Sequence, residues 1–211
     1  MQVQYSTPDF RLFVNHGSVV DFVYPTNQGR SAIVNSANIF CLGGGGVDGA
    51  INDAGGESLW ADRASLPVIR HHSDPDKHVR CMTGNAVITI PNTYGRLAIP
   101  FVIHAVGPNY SSTKYANREE RADVKLANAY KASMAQAESY GVESIAFSLL
   151  SMGKYRGENR SKHTLLKIAM RTIFECKYEG LKEIHMCGYS QDEFLALVEI
   201  AYEAGLPRAE Y

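Results

Sequence analysis

The chain has 211 residues, of which 21 are Lys or Arg and 22 are Asp or Glu, for a formal net charge of −1. With 45% hydrophobic and 10% aromatic residues it has enough apolar material for a core, and its length suits a single domain spanning residues 1–211. Near-neutral charge argues against a strongly basic nucleic-acid binder or a polybasic membrane anchor. No apolar run reaches the roughly 18–20 residues needed to span a bilayer, and the first ten residues lack the basic-then-apolar pattern of a secretory signal. The expected protein is a cytoplasmic monomer without metal or cofactor. Its four cysteines, Cys41, Cys81, Cys176 and Cys187, form no C-x-x-C pair and are expected to be reduced thiols. His71, His72, His78 and Cys81 match no standard zinc spacing. A polar loop followed by a buried cysteine is expected there.

In chain order, a short strand is predicted over 10–14, an ambiguous segment or short helix over 17–24, and a buried strand over 31–35. A glycine-rich loop follows. Val47, Ile51 and Ala54 then recur at helical spacing until Gly55-Gly56 ends the helix, and a second helical piece covers 57–65. Residues 67–80 read as a loop. Strands are predicted over 86–90 and 97–106, separated by a turn at 91–95, with Pro100 marking a bulge or edge. A long helix is expected over 118–140, capped by Asn117 with Glu120 and closed by Gly141. A strand over 144–150, a loop over 151–158, a helix over 162–178 and a strand over 182–187 come next. Ser190 and Glu193 form a capping-box pattern ahead of a last helix. Alternating strands and helices predict an α/β fold, a three-layer α/β/α sandwich with a mixed central sheet.

Seven of the 18 glycines fall between positions 43 and 56. A buried strand feeding a glycine loop that feeds a helix is a phosphate cradle on physical grounds. Glycine lets the backbone approach closely, and the first N–H groups of the helix have no internal partner. Gly44, Gly46 and Gly49 satisfy G-x-G-x-x-G, but no strand with an acidic end follows about 20 residues on, as a dinucleotide fold needs. A P-loop needs Gly-Lys-Ser/Thr after the glycines, and Val47-Asp48 stands there instead. Asn38, at the start of the loop, and Asp48, in the first helical turn, are the polar residues that set this loop apart. An anionic Asp48 beside a phosphate makes sense if it holds a ribose hydroxyl or a water.

Four motifs in order resemble the macrodomain family, specifically its MacroD-type branch. They are Asn35-Ser36-Ala37-Asn38 with Gly45-Gly46-Val47-Asp48-Gly49; Cys81-x-Thr83-Gly84-x-Ala86-x-Ile88-Thr89; residues 102–108, VIHAVGP; and Ser151-Met152-Gly153-Lys154-Tyr155. The resemblance extends over about residues 10–205. It implies binding of ADP-ribose or ADP-ribosylated proteins, and hydrolysis of mono-ADP-ribose from Asp/Glu side chains or of O-acetyl-ADP-ribose. The alternative it leaves open is a non-catalytic ADP-ribose reader. Carried onto this sequence, Asn38 contacts the ribose nearest the modified side chain and Asp48 positions or activates the attacking water. Ala37 flanks the ribose-contacting Asn38. Gly45, Gly46 and Val47 supply N–H groups to one phosphate; Ser151, Met152, Gly153 and Lys154 contact the other. Tyr155 packs on the distal ribose and Tyr189 stacks on adenine. His104 is expected to be structural. Where relatives carry Gly-Asp-Ile to read the adenine amino group, this chain has Gly17-Ser18-Val19, leaving Ser18, with Val19 beside it, or Asp21 to take that part.

Overall fold

The apolar, β-branched runs become seven strands among residues 1–23, 30–89, 93–158 and 160–209, which the computed structural model describes. They are β1 (Gln2–Ser6), β2 (Arg11–His16), β3 (Ser31–Ser36), β4 (Asn85–Ile88), β5 (Phe101–Val106), β6 (Ser144–Ser148) and β7 (Glu183–Gly188). One sheet holds them in the order β1-β2-β7-β6-β3-β5-β4. The five inner strands pair in parallel, and β1 and β4 are antiparallel edges. β5, β6 and β7 are buried at every residue, as strands covered on both faces must be.

Period-two alternation sorts the inner strands onto two cores. Val34, Ile145, Phe147, Ile184 and Met186 point toward α2 (Glu119–Ser139), α3 (Lys162–Glu175) and α4 (Gln191–Glu203). Ile33, Val102, Ala146 and Cys187 point the other way, toward Ile51 and Leu59 of α1 (Val47–Ser65). The result is the expected α/β/α sandwich. No helix among the described residues is long and apolar enough to cross a membrane.

α1 is two helical pieces that meet at Gly56, whose φ of 63° and ψ of −157° no L-residue adopts comfortably. The predicted break at Gly55-Gly56 is therefore present. It is locked from outside: Arg96 N–H donates to the Ala54 carbonyl at 2.9 Å, and a Cβ on Gly95 would lie 2.3 Å from that same oxygen.

Several boundaries differ from expectation. β1 was not anticipated, because its Gln2 and Gln4 interrupt Val3 and Tyr5; that alternation is what an antiparallel edge with one buried face requires. β5 begins only after Pro100, which has no N–H for the ladder. α2 starts from Arg118 without a side-chain cap, and Asn117 sits at φ 54° instead of capping. α3 ends at Glu175 rather than at 178. The segment 17–24 holds a 3₁₀ turn, Val19–Asp21, capped by the Ser18 hydroxyl. Residue 24 of that segment, residue 90 of the predicted strand and residues 91–92 of the predicted turn lie outside the described residues. The Ser190–Glu193 capping box forms as expected.

Candidate functional site

β2, β7, β6 and β3 are consecutive in the sheet and parallel, so the loops leaving their carboxyl ends lie side by side. These are Gly17-Ser18, Tyr189-Ser190, residues 149–155 and the glycine loop. Ligands of open α/β sheets collect at this edge. Two adjoining cavities lie there, of about 420 and 370 Å³, sharing Gly46, Val47, Leu149 and Gly153. Ala37, Asn38, Gly45, Asp48, Ser151, Lys154 and Tyr155 line the first. Ser18, Val19, Met152 and Tyr189 line the second. Every residue predicted from the sequence to touch a ligand, except the alternative Asp21, thus borders one continuous groove. Asp21 does not join them. It lines a larger cavity of about 720 Å³ over β1, β2 and β7, with Arg11, Phe13 and His185. Ser18, which borders both, is the base-end candidate.

The glycine loop is open where an anion would approach. A Cβ on Gly45, Gly46 or Gly153 would meet nothing within 4 Å. Gly46 caps α1 with φ 63° and ψ −137°, and the helical ladder begins with Ala50 N–H to the Gly46 carbonyl at 3.0 Å. The N–H groups ahead of Ala50 have no intrahelical partner and carry the positive end of the helix dipole. Across the groove, Ser151 is held at φ 59° while its hydroxyl donates to the Pro108 carbonyl at 2.7 Å. Its side chain is thereby turned away, leaving backbone to face the groove. Tyr155 is tied in place by its carbonyl, which accepts Tyr110 N–H at 2.8 Å. Lys154 is exposed. Tyr189 is 79% exposed, a ring offered to solvent beside the groove. Glu193 Oε2 accepts the N–H groups of Tyr189 and Ser190, fixing that loop.

Asn38 is engaged locally: its amide donates to the Gly43 carbonyl at 2.7 Å, and its Oδ1 accepts Phe40 N–H at 2.9 Å. Asp48 is buried, and Oδ1 accepts from Asn35 Nδ2 and from Arg63 Nη2, both at 2.7 Å. Its Oδ2 is buried without a hydrogen-bond partner. A Cβ on Gly44 would lie 3.0 Å from Asp48 Oδ2 and 3.2 Å from Asn38 Nδ2, so both polar groups converge on the glycine loop.

The polar network behind Asp48 was not foreseen. Arg63 is fully buried and also donates through Nε to the Cys41 carbonyl. Asn35 Nδ2 lies 3.1 Å from His104 Nδ1, which fits a neutral ring accepting there. Burial first, then the Arg63 charge, hold His104 well below the ordinary histidine value. His104 lines neither groove cavity, in keeping with a structural part, although its buried Nε2 lacks a partner. One sequence signal for Arg63 existed. It continues the buried stripe Ile51, Gly55, Leu59 at four-residue steps, an odd place for a cation.

Cys41 and Cys81 pack together with Ala37, Leu66 and Val106 beneath the loop, and the neighbouring thiol and burial both push Cys41 up. His72 and His78 use ring nitrogens to accept backbone N–H groups of Asp74 and His72, each at 3.1 Å.

A family model for the Macro domain matches residues 34–163. A macro domain-containing protein of Caldanaerobacter subterraneus subsp. tengcongensis is 37% identical over 179 residues, covering 84% of this chain and 88% of the relative. An O-acetyl-ADP-ribose deacetylase of Salmonella gallinarum is 36% identical over 169 residues, covering 79% of this chain and 84% of the relative. The Oceanobacillus iheyensis macrodomain, solved with ADP, matches with a TM-score of 0.77 at 25% identity, over 97% of this chain and 96% of that one.

Proposed function

Because the chain belongs to the Macro domain family, we propose that it binds ADP-ribose along the groove and hydrolyses esters at the ribose distal to adenine. The substrates are O-acetyl-ADP-ribose and mono-ADP-ribose carried on Asp or Glu side chains. The relative named an O-acetyl-ADP-ribose deacetylase and the neighbour solved with ADP support the ligand class. The observation that carries the hydrolytic reading is Asp48 Oδ2, a buried carboxylate oxygen without a partner beside the Asn38 amide and the open glycine loop.

In this reading the diphosphate lies between two backbone cradles. Gly45, Gly46 and Val47 donate N–H groups from the start of α1, and residues 151–154 donate from the opposite wall. Such binding needs no surplus of Lys and Arg, which agrees with a net charge of −1. Tyr155, which borders the same cavity as Asn38 and Asp48, packs against the distal ribose and holds it in a reactive pose beside Asp48. Asp48 Oδ2 accepts a hydrogen bond from the attacking water or a ribose hydroxyl, and Asn38 donates to the ribose. Water adds to the ester, the bond to the ribosyl oxygen breaks, and ADP-ribose and a free carboxylic acid leave. Tyr189 covers the adenine, and Ser18 with Val19 borders its edge.

The test is release of ADP-ribose from an Asp/Glu-modified carrier protein, and of acetate from O-acetyl-ADP-ribose. Wild-type protein turns over at least one of the two, and Asp48→Ala loses that turnover. Equal release by Asp48→Ala would remove Asp48 from the reaction. Tight calorimetric binding of ADP-ribose with no release from either ester would make the chain a reader module.

A further inference from the structure

We infer that Arg63 is a positioning residue for ester hydrolysis, clamping one oxygen of Asp48 so that the other faces the reacting groups. The inference rests on the hydrolytic reading above and extends it to a residue outside the groove.

A fully buried arginine needs an explanation, because an ion pair taken out of water is often no more stable than apolar residues of the same volume. Arg63 is 0% exposed, and its partner Asp48 is 3% exposed. The guanidinium is itself fixed. Nε donates to the Cys41 carbonyl, Nη2 to Asp48 Oδ1 at 2.7 Å, and Nη1 reaches Asn52 Oδ1 at 3.4 Å. A planar fork held at several points can orient a carboxylate; a lysine ammonium in its place is a single point charge. Asn35 Nδ2 adds a second donor to Oδ1 at 2.7 Å, so that oxygen is saturated and turning the carboxylate breaks both bonds. What remains is Oδ2, buried, unpartnered and aimed at Gly44 and the Asn38 amide.

The pair also answers an electrostatic difficulty. An isolated Asp48 at the mouth of a diphosphate cradle would repel its ligand. With Arg63 against it the pair carries no net charge, and the carboxylate keeps its acceptor oxygen without the repulsion. The geometry depends on the break at Gly56. Fifteen residues of straight helix would separate positions 48 and 63 by about 22 Å, far beyond an arginine's reach, whereas the kink folds the second piece back onto the first.

The experiment compares wild type, R63K and R63M for turnover of O-acetyl-ADP-ribose, calorimetric affinity for ADP-ribose, and thermal melting. R63K keeps a charge that compensates Asp48 but loses the fork. Its expected signature is a kcat lowered by tens of fold, with KM and ADP-ribose affinity within about threefold of wild type, because a misplaced reacting group costs rate rather than binding. R63M loses at least as much kcat; where it does not fold, R63K alone decides. Wild-type kcat in R63K overturns the inference while leaving the hydrolytic reading intact. So does a kcat that falls only in step with calorimetric stoichiometry, since that reports lost folded protein. Wild type inert on this ester and on an Asp/Glu-modified carrier sinks the hydrolytic reading and the inference with it.

Discussion

Arg63→Met probes how much the fold depends on the Asp48–Arg63 pair. Methionine keeps much of the arginine volume and removes its charge and donors. The Asp48 side chain is only 4% exposed and that of Arg63 0%, so water cannot take the place of the lost guanidinium. Breaking a buried pair by removing one partner costs about 3–5 kcal/mol, because an uncompensated charge stays behind. A protein of 211 residues unfolds with an entropy of roughly 0.44 kcal/mol/K near its melting point. The expected drop in Tm is therefore about 7–11 °C. Asp48→Asn alone strands the guanidinium and is also destabilising. The double variant D48N/R63M removes both charges, and its loss falls short of the sum of the single losses by at least about 2 kcal/mol, the coupling of residues in direct contact. Calorimetric or urea unfolding of all four proteins closes this cycle. A Tm shift under about 2 °C for Arg63→Met, together with additive losses, would show that Arg63 is not held against Asp48 in solution.

Three further expectations concern the groove and its surroundings. Gly46→Ala places a Cβ where nothing lies within 4 Å, so its cost is backbone strain at φ 63° and ψ −137°, about 1–3 kcal/mol; calorimetry should find ADP-ribose affinity at least severalfold weaker, and unchanged affinity would contradict a backbone cradle at this position. Tyr189→Ala, at a ring 79% exposed, should leave Tm essentially unchanged yet weaken ADP-ribose binding by about 0.5–1.5 kcal/mol; equal affinity would take Tyr189 out of the base site. His104 is held well below the ordinary histidine value by burial and by Arg63. The unfolded chain therefore binds a proton below a pH of about 6.5 that the folded chain refuses. This stability is present above that pH and lost below it, by about 1.4 kcal/mol per pH unit until the folded histidine titrates. Urea unfolding at pH 7 and pH 5.5 checks the sign, and stability that rises on acidification would be inconsistent with a buried neutral ring.

Much of the site is local and therefore legible in the chain itself. The run Ile33-Val34 is apolar because its strand is covered on both faces, and the glycines that follow are needed where backbone must face a ligand; Gly46 proves to sit at φ 63°. The break at Gly55-Gly56 and the Ser190–Glu193 capping box are likewise short-range. Each depends on φ/ψ limits or on hydrogen bonds spanning a few residues, so composition and spacing suffice to read them. β1 was invisible because alternating Gln and Val look like a polar tail until β2 supplies a partner. The order of the strands, and with it the joining of loops from β2, β7, β6 and β3 into one groove, is a property of the sheet alone. The 3₁₀ turn Val19–Asp21 in turn decides that Ser18 borders the groove while Asp21, three residues on, borders only the neighbouring cavity. Asp48 and Arg63 show the limit most clearly. Their types and positions can be read directly, yet nothing in a helical repeat brings residues 15 apart into contact. Only the backbone turn at Gly56, held from outside by Gly95 and Arg96, makes them a pair and decides which oxygen of Asp48 faces the groove.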